Sequence, residues 1–270
     1  MIFFAVLMQD YGNSGFILWN FLKKMEHKVK SNTLQNMKTA KTFVIATAAM
    51  LSLPFFQSCD RHDTPDYSIL YPNAIVTVKP IDDKAFYLQL DDKTALLPVG
   101  TGKLPYGDKE VRAFVNFTYT DMPQDADKDK YEGAVKINWL DSLLTKQPKA
   151  DMGAENDKLY GKDPVEIMNN WMTVVEDGYI TLNFMTVWGN RNTSHEVNLL
   201  TGGNPDDPYE VEFRHNAFGD VNGQRGNGIV AFSLKDLPDT GGETVKLTLK
   251  WMSFSGMKST KFDYCTRKDM

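Results

Sequence analysis

Cysteine is nearly missing from this chain, with only Cys59 and Cys265 in 270 residues. One pair can form at most one disulfide, so packing must hold the fold. Positive charge is also short: 30 Lys and Arg stand against 35 Asp and Glu. A surface of that sign repels phosphate backbones and anionic headgroups, which argues against nucleic acid as a partner and against membrane attachment through a basic face. No apolar run reaches the ~20 residues that a membrane-crossing helix needs. Motifs that announce chemistry are missing too. There is no Gly-x-Ser-x-Gly, no His-Glu-x-x-His and no phosphate-cradling glycine loop.

What the sequence does contain starts with an export signal. Met37-Lys38-Thr39-Ala40-Lys41 is a short basic opening, Thr42 to Phe56 is uncharged and mostly apolar, and Gln57-Ser58-Cys59 follows. That order is the layout of a secretory signal peptide over residues 37–58. A small residue directly before Cys59 resembles a lipobox, in which the cysteine takes the lipid and becomes the first residue after cleavage. The expectation is therefore a cell-envelope lipoprotein of the outer membrane, facing the periplasm or the surface, held through acyl chains such as palmitate on Cys59. Residues 1–36 carry two apolar patches, Ile2 to Met8 and Phe16 to Leu22. Because a complete signal begins afresh at Met37, they read as an extension from a start codon placed too early, the alternative being an amphipathic N-terminal anchor. Cleavage before Cys59 leaves 212 residues, and the loss of six Lys and two acidic residues moves the net charge from −5 to −9.

Residues 59–73 are polar with Pro65 and Pro72, which suits a tether. Short runs of alternating or continuous apolar residues follow, bounded by Asp, Gly and Pro. Ala74 to Lys79, Phe86 to Leu90, Thr94 to Val99, Val111 to Tyr119 and Val135 to Leu140 make about five strands within residues 74–145. Residues 146–163 are polar and interrupted, and read as a linker. Within residues 164–265, Val165 to Val175 reads as a bent strand. Six clearer strands follow, of which Val245-Lys246-Leu247-Thr248-Leu249-Lys250-Trp251 shows the alternation of a sheet with one dry and one wet face. The pattern predicts an all-β protein whose second half is an antiparallel β-sandwich.

Several stretches together resemble a known family. They are Leu90-Asp91-Asp92-Lys93-Thr94, Arg112-Ala113-Phe114-Val115-Asn116-Phe117, Asp163-Pro164-Val165, Trp188-Gly189-Asn190, Thr201 to Tyr209, Arg214-His215, Leu237 to Thr240 and Leu247 to Phe254. The chain resembles the NigD-like envelope lipoproteins over essentially all of its mature length. The resemblance implies a small OB-like barrel followed by a β-sandwich. It implies no catalytic residue set and no cofactor, and the immunity role attached to the family's name implies at most a toxin-intercepting relative. An OB-like barrel does not by itself imply nucleic acid, because function lives in sites rather than folds.

Few residues stand out as carriers of chemistry, and no catalytic, cofactor or metal set is assigned. His195 and His215 lie in or beside predicted strands with Glu196 and Glu212 nearby, and are the only ligand candidates; a metal would want three or four converging groups. Asp125 to Glu132 has the oxygen spacing of a calcium loop's start but lacks its Gly and final Glu, so it reads as a solvated connection. Asp220-Val221-Asn222-Gly223 reads as a tight turn. Trp171, Trp188 and Trp251 could form a sugar platform, although tryptophan in such strands is more often core. Asp141-Ser142-Leu143 resembles an O-glycosylation acceptor of exported bacterial proteins, with Ser142 as the modified residue. The functional expectation is a non-enzymatic binding or accessory module for an unknown protein or glycan. An immunity-type lipoprotein and a glycan hydrolase with a hidden carboxylate pair are the alternatives, and a cleft with two carboxyl groups about 5–10 Å apart would favour the last.

Overall fold

The structure is a computed structural model and describes residues 67–190 and 192–267. The expected signal peptide, Cys59, the start of the expected tether and residues 1–36 lie outside the described residues. Among the described residues no helix is long and apolar enough to cross a membrane.

Five strands, β1 (Ala74–Pro80), β2 (Phe86–Gln89), β3 (Ala95–Pro98), β4 (Val111–Thr120) and β5 (Gly133–Ser142), close into a barrel in the order β1-β2-β3-β5-β4. Closure removes the free edges that an open five-stranded sheet would leave. Alternate residues such as Val76, Val78, Leu88, Leu96, Val115 and Val135 point inward and form its core. A bulge between Asn116 and Phe117 lets the long β4 and β5 bend around it.

The rest of the chain makes two packed sheets. One holds β6 (Thr145–Lys146), β13 (Gln224–Ser233), β10 (Tyr179–Trp188) and β8 (Glu166–Ile167) in that order, with β9 (Val174–Glu176) also pairing β10. The other runs β15 (Gly256–Tyr264), β14 (Val245–Ser253), β12 (Glu210–Asn216), β11 (Glu196–Thr201), β7 (Lys149–Ala150). Inward residues of both sheets, among them Ile180, Phe184, Phe213, Phe232, Leu249 and Trp251, interdigitate as one core. The Phe184 ring sits against Gly228, where an added Cβ would meet the ring at 2.5 Å.

Barrel and sandwich are therefore both present, as the all-β reading expects, but two local features differ. Residues 146–163, expected as a linker, hold the end of β6, all of β7 and a one-turn helix at Asn156–Tyr160. The two short strands pair in parallel with β13 and β11. The sheets are also mixed rather than purely antiparallel, since β12 and β14 run parallel. Hydrophobic alternation reports which face is buried and carries no information about strand direction.

Candidate functional site

The two histidines meet. Val197 on β11 pairs with His215 on β12, and His195 stands one residue before β11, so both rings reach the same end of the sandwich. His195 Nδ1 lies 2.9 Å from His215 Nε2, and His195 Nε2 lies 3.2 Å from Asp220 Oδ2. His215 Nδ1 is 3.3 Å from the Asp163 carbonyl. Both histidines are buried, and the indole of Trp188 stacks on His195 at 4.0 Å between centroids. The Asp220 carboxylate and the Asp163 carbonyl can only accept, so His195 donates from Nε2 and His215 from Nδ1, and a proton between His195 Nδ1 and His215 Nε2 is a third, beyond the two that neutral rings carry. Burial, and next the neighbouring His195, push the His215 pKa down to about 4. The partners are Asp220 and Asp163 rather than Glu196 and Glu212, which point elsewhere. Glu196 bridges Lys146, and Glu212 bridges Arg214. Among the described residues no three His, Cys, Asp or Glu side chains are arranged to hold a metal ion. The facing nitrogens point at one another instead of converging on a common point.

Asp220 does more than close a turn. Its carboxylate accepts the backbone N–H groups of Gly189 and Asn190 at 3.0–3.1 Å in addition to the His195 contact. These hydrogen bonds, led by that from Asn190, hold its pKa below the ordinary carboxylate value. The loop before it is fixed from the other side, where Ala217 N–H donates to Asp163 Oδ2 and Phe218 N–H to Asn216 Oδ1. Gly189 and Gly223 allow the two loops to touch, because a Cβ at either would lie 2.0 Å from a carbonyl oxygen of the other loop. The result is a clasp between the β10–β11 and β12–β13 loops, built over buried histidines.

A second concentration of charge ties the barrel to the sandwich. Arg112, on β4, is fully buried. It donates to Thr77 Oγ1 at 3.1 Å, to Glu176 Oε1 at 2.7 Å and to Thr181 Oγ1 at 3.4 Å. One step further along the β9–β10 hairpin, Asp177 takes Lys79 at 2.7 Å, while its own N–H donates to Asp92. Asp177 holds φ +48°, the left-handed turn conformation that its hairpin with Gly178 requires. Glu110 joins Tyr179 and Arg267 across the same boundary. Burial raises the pKa of Glu176 against the opposing effect of Arg112, and Asp91 and Asp92 add to the rise.

Beside this boundary lies a cleft of about 200 Å³ lined by Asn73, Leu90, Asp91, Trp171 and Glu176. Trp171 is half exposed there and packs edge-on against Phe114. The other two candidate platform tryptophans are not available, since Trp251 belongs to the sandwich core and Trp188 is stacked on His195. The carboxylates that line the cleft are already engaged. Glu176 holds Arg112, and Asp91 caps its own turn through the N–H groups of Lys93 and Thr94.

The remaining singled-out residues fall where packing places them. Ser142 is the half-buried last residue of β5, opposite Ala113. Asp127 caps a turn by accepting from Asp129 and Lys130 N–H, which makes the 125–132 stretch a connection. Cys265 is a free thiol beside Thr240 Oγ1.

Fold and site together define a two-domain β protein, an OB barrel locked by buried charge to a sandwich whose loops are clasped at one end. The chain belongs to the NigD-like family: residues 75–143 match the NigD-like N-terminal OB domain and residues 147–264 the NigD-like C-terminal β-sandwich domain. A crystal structure from Parabacteroides distasonis, of a protein described as toxin related, is 39% identical, covers 71% of this chain and 92% of its own, and superposes with TM-score 0.58. A protein of unknown function from Bacteroides vulgatus is 22% identical over 72% of this chain and 90% of its own, with TM-score 0.55. A NigD-like immunity protein from Bacteroides caccae is 18% identical over 71% and 96%, with TM-score 0.51, a likeness of fold. No curated protein matches the sequence.

Proposed function

We propose that this chain is a lipid-anchored accessory protein of the cell envelope that works by binding a partner rather than by catalysis. The observation that carries this reading is what the fold does with its ionisable groups. Two places that gather them are clasps. Asp220, His195 and His215 fasten one pair of loops, and Arg112, Glu176, Lys79 and Asp177 fasten one domain to the other. A general acid or base has to reach a substrate proton within hydrogen-bond distance, and these groups face one another instead. A rigid two-domain body suits recognition, because a preorganised surface loses little entropy on binding. The anchor follows from Ser58-Cys59 behind the apolar run. Cys59→Ala should move the protein from the detergent phase to the aqueous phase or leave it uncleaved, and unchanged partitioning would refute the anchor. A narrower form, interception of a toxin at the envelope, draws on the toxin-related description of the Parabacteroides relative.

The cleft supports a second reading, glycan hydrolysis with Glu176 as acid, Asp91 as its partner and Trp171 as platform. It is the weaker of the two because Arg112 holds the Glu176 carboxylate at 2.7 Å and favours its charged form. Release of reducing ends from envelope glycans by wild-type protein, abolished in Asp91→Asn, would favour hydrolysis over binding.

A further inference from the structure

The clasped end of the sandwich presents apolar side chains to water. Strands β12 and β14 run parallel with Phe213 beside Trp251, so both chains leave the sheet at the same end. They continue into Phe218 and Val221 on one loop, and into Phe254 on the next loop with Met257 at the start of β15, with exposures of 43–60%. Arg225, at the start of β13, lies over the Phe254 ring at 5.8 Å and joins the two tips into one surface.

Three observations concern what could cover it. Phe218 is held at φ +50°, a conformation that costs a bulky residue energy, and its side chain is 60% exposed, so packing of that side chain within the chain does not offset the cost. The clasp forces the geometry, through Asp220 on the N–H groups of Gly189 and Asn190, Asp163 on that of Ala217 and Asn216 on that of Phe218 itself. The surface is also poor in charge on an acidic protein. Asp220 faces inward, and Arg225 has no carboxylate partner among the described residues while its ring contact leaves guanidinium N–H groups free. Phe, Met and Arg with few other charges is the composition of a protein–protein interface core.

We propose that this end docks a polypeptide partner whose surface offers an apolar pocket for Phe218 next to a carboxylate for Arg225. A lipid surface has no fixed shape and gains nothing from a strained, clasped tip. A second copy of this chain would set one acidic body against another. The proposal rests on the reading that the chain is a binding module, and names the face and the chemistry of what it binds.

The test places a photo-crosslinking phenylalanine analogue at Phe218 of the full chain in its own envelope, with a parallel variant carrying it at Trp171. Phe218 is exposed, so the substitution leaves the core intact, and a thermal melt checks this; position 254 serves if it does not. The expected result is an adduct with another polypeptide, mapped to a segment bearing Asp or Glu. Its yield should fall about tenfold or more when Arg225→Glu is added, since reversing a charge in a desolvated contact sets like against like. An adduct with lipid, an adduct with a second copy, or a polypeptide adduct indifferent to Arg225→Glu overturns the proposal. An adduct at position 171 with none at 218 leaves the binding-module reading standing and removes this face from it. Adducts at neither position remove both.

Discussion

His215 shows what burial does to one titratable group. Its pKa stands at about 4 against an ordinary 6.5, so the unfolded chain takes up a proton that the folded chain resists. The stability this withholds from the protonated state is fully present above about pH 6.5 and is lost as pH falls through the window down to 4. It amounts to about 3 kcal/mol at ~1.4 kcal/mol per pKa unit. Asp220 adds to the acid sensitivity in a lower range, because its pKa is depressed below 3.8 and its contribution disappears only as pH drops beneath that value. The melting temperature of the wild type should therefore fall steeply between pH 6.5 and 4, and His215→Gln should flatten that slope. Parallel slopes in the two proteins would contradict the assignment. The sequence offered the two histidines as candidates but not their partners. Asp163 and Asp220 sit in loops 52 and 25 residues away from the histidines they touch. No local spacing rule connects such positions, and a turn signature at Asp220-Val221-Asn222-Gly223 masks the carboxylate's other task.

At the scale of the element, β14 was the most legible part of the chain because its alternation coincides with burial. Leu247, Leu249 and Trp251 are buried, whereas Lys246 is exposed and Lys250 half-buried beside Glu210; Thr248, on the same face as the two lysines, is the exception and is buried. Truncating Trp251 to Ala removes a side chain that is 6% exposed and should cost roughly 3–5 kcal/mol. Lys250→Ala loses one partly exposed ion pair and should cost no more than about 1 kcal/mol. Urea unfolding of both variants checks the contrast, and equal losses would put Trp251 outside the core. A glycine supplies a second test on the facing sheet. Gly228→Ala drives a methyl into the Phe184 ring and should destabilise by about 1–3 kcal/mol, read from the same unfolding curves. Strands β6 and β7 were not legible for the opposite reason. Each is two residues long, Thr145–Lys146 and Lys149–Ala150, too short to show a period, and the polar residues around Pro148 look like a linker. Their strand character comes from the ladders of β13 and β11 rather than from their own composition.

Across the whole molecule, the bond between barrel and sandwich rests on a guanidinium taken completely out of water. Arg112 and Glu176 are 64 residues apart, which is why the sequence offers Arg112 only as part of a strand. Arg112→Ala should destabilise by about 3–5 kcal/mol, because it strands the Glu176 carboxylate in a site where burial already raises its pKa. Replacing both partners with apolar residues, Arg112→Met with Glu176→Leu, should recover most of that loss, since a buried ion pair contributes little over a well-packed apolar one. Chemical denaturation of the single and double variants measures this, and a double variant as weak as Arg112→Ala would show that the pair supplies net stability.

The same view of the molecule, two domains locked together by charge with one rigid apolar end, leads to its central claim of binding without turnover. Affinity capture of the full chain from its own envelope, followed by intact-mass spectrometry of what is retained, tests that claim most directly. The expected recovery is a polypeptide at a fixed ratio to this chain, with its mass unchanged by the encounter. Shortened glycans or a cleaved polypeptide, with no intact partner retained, would contradict it.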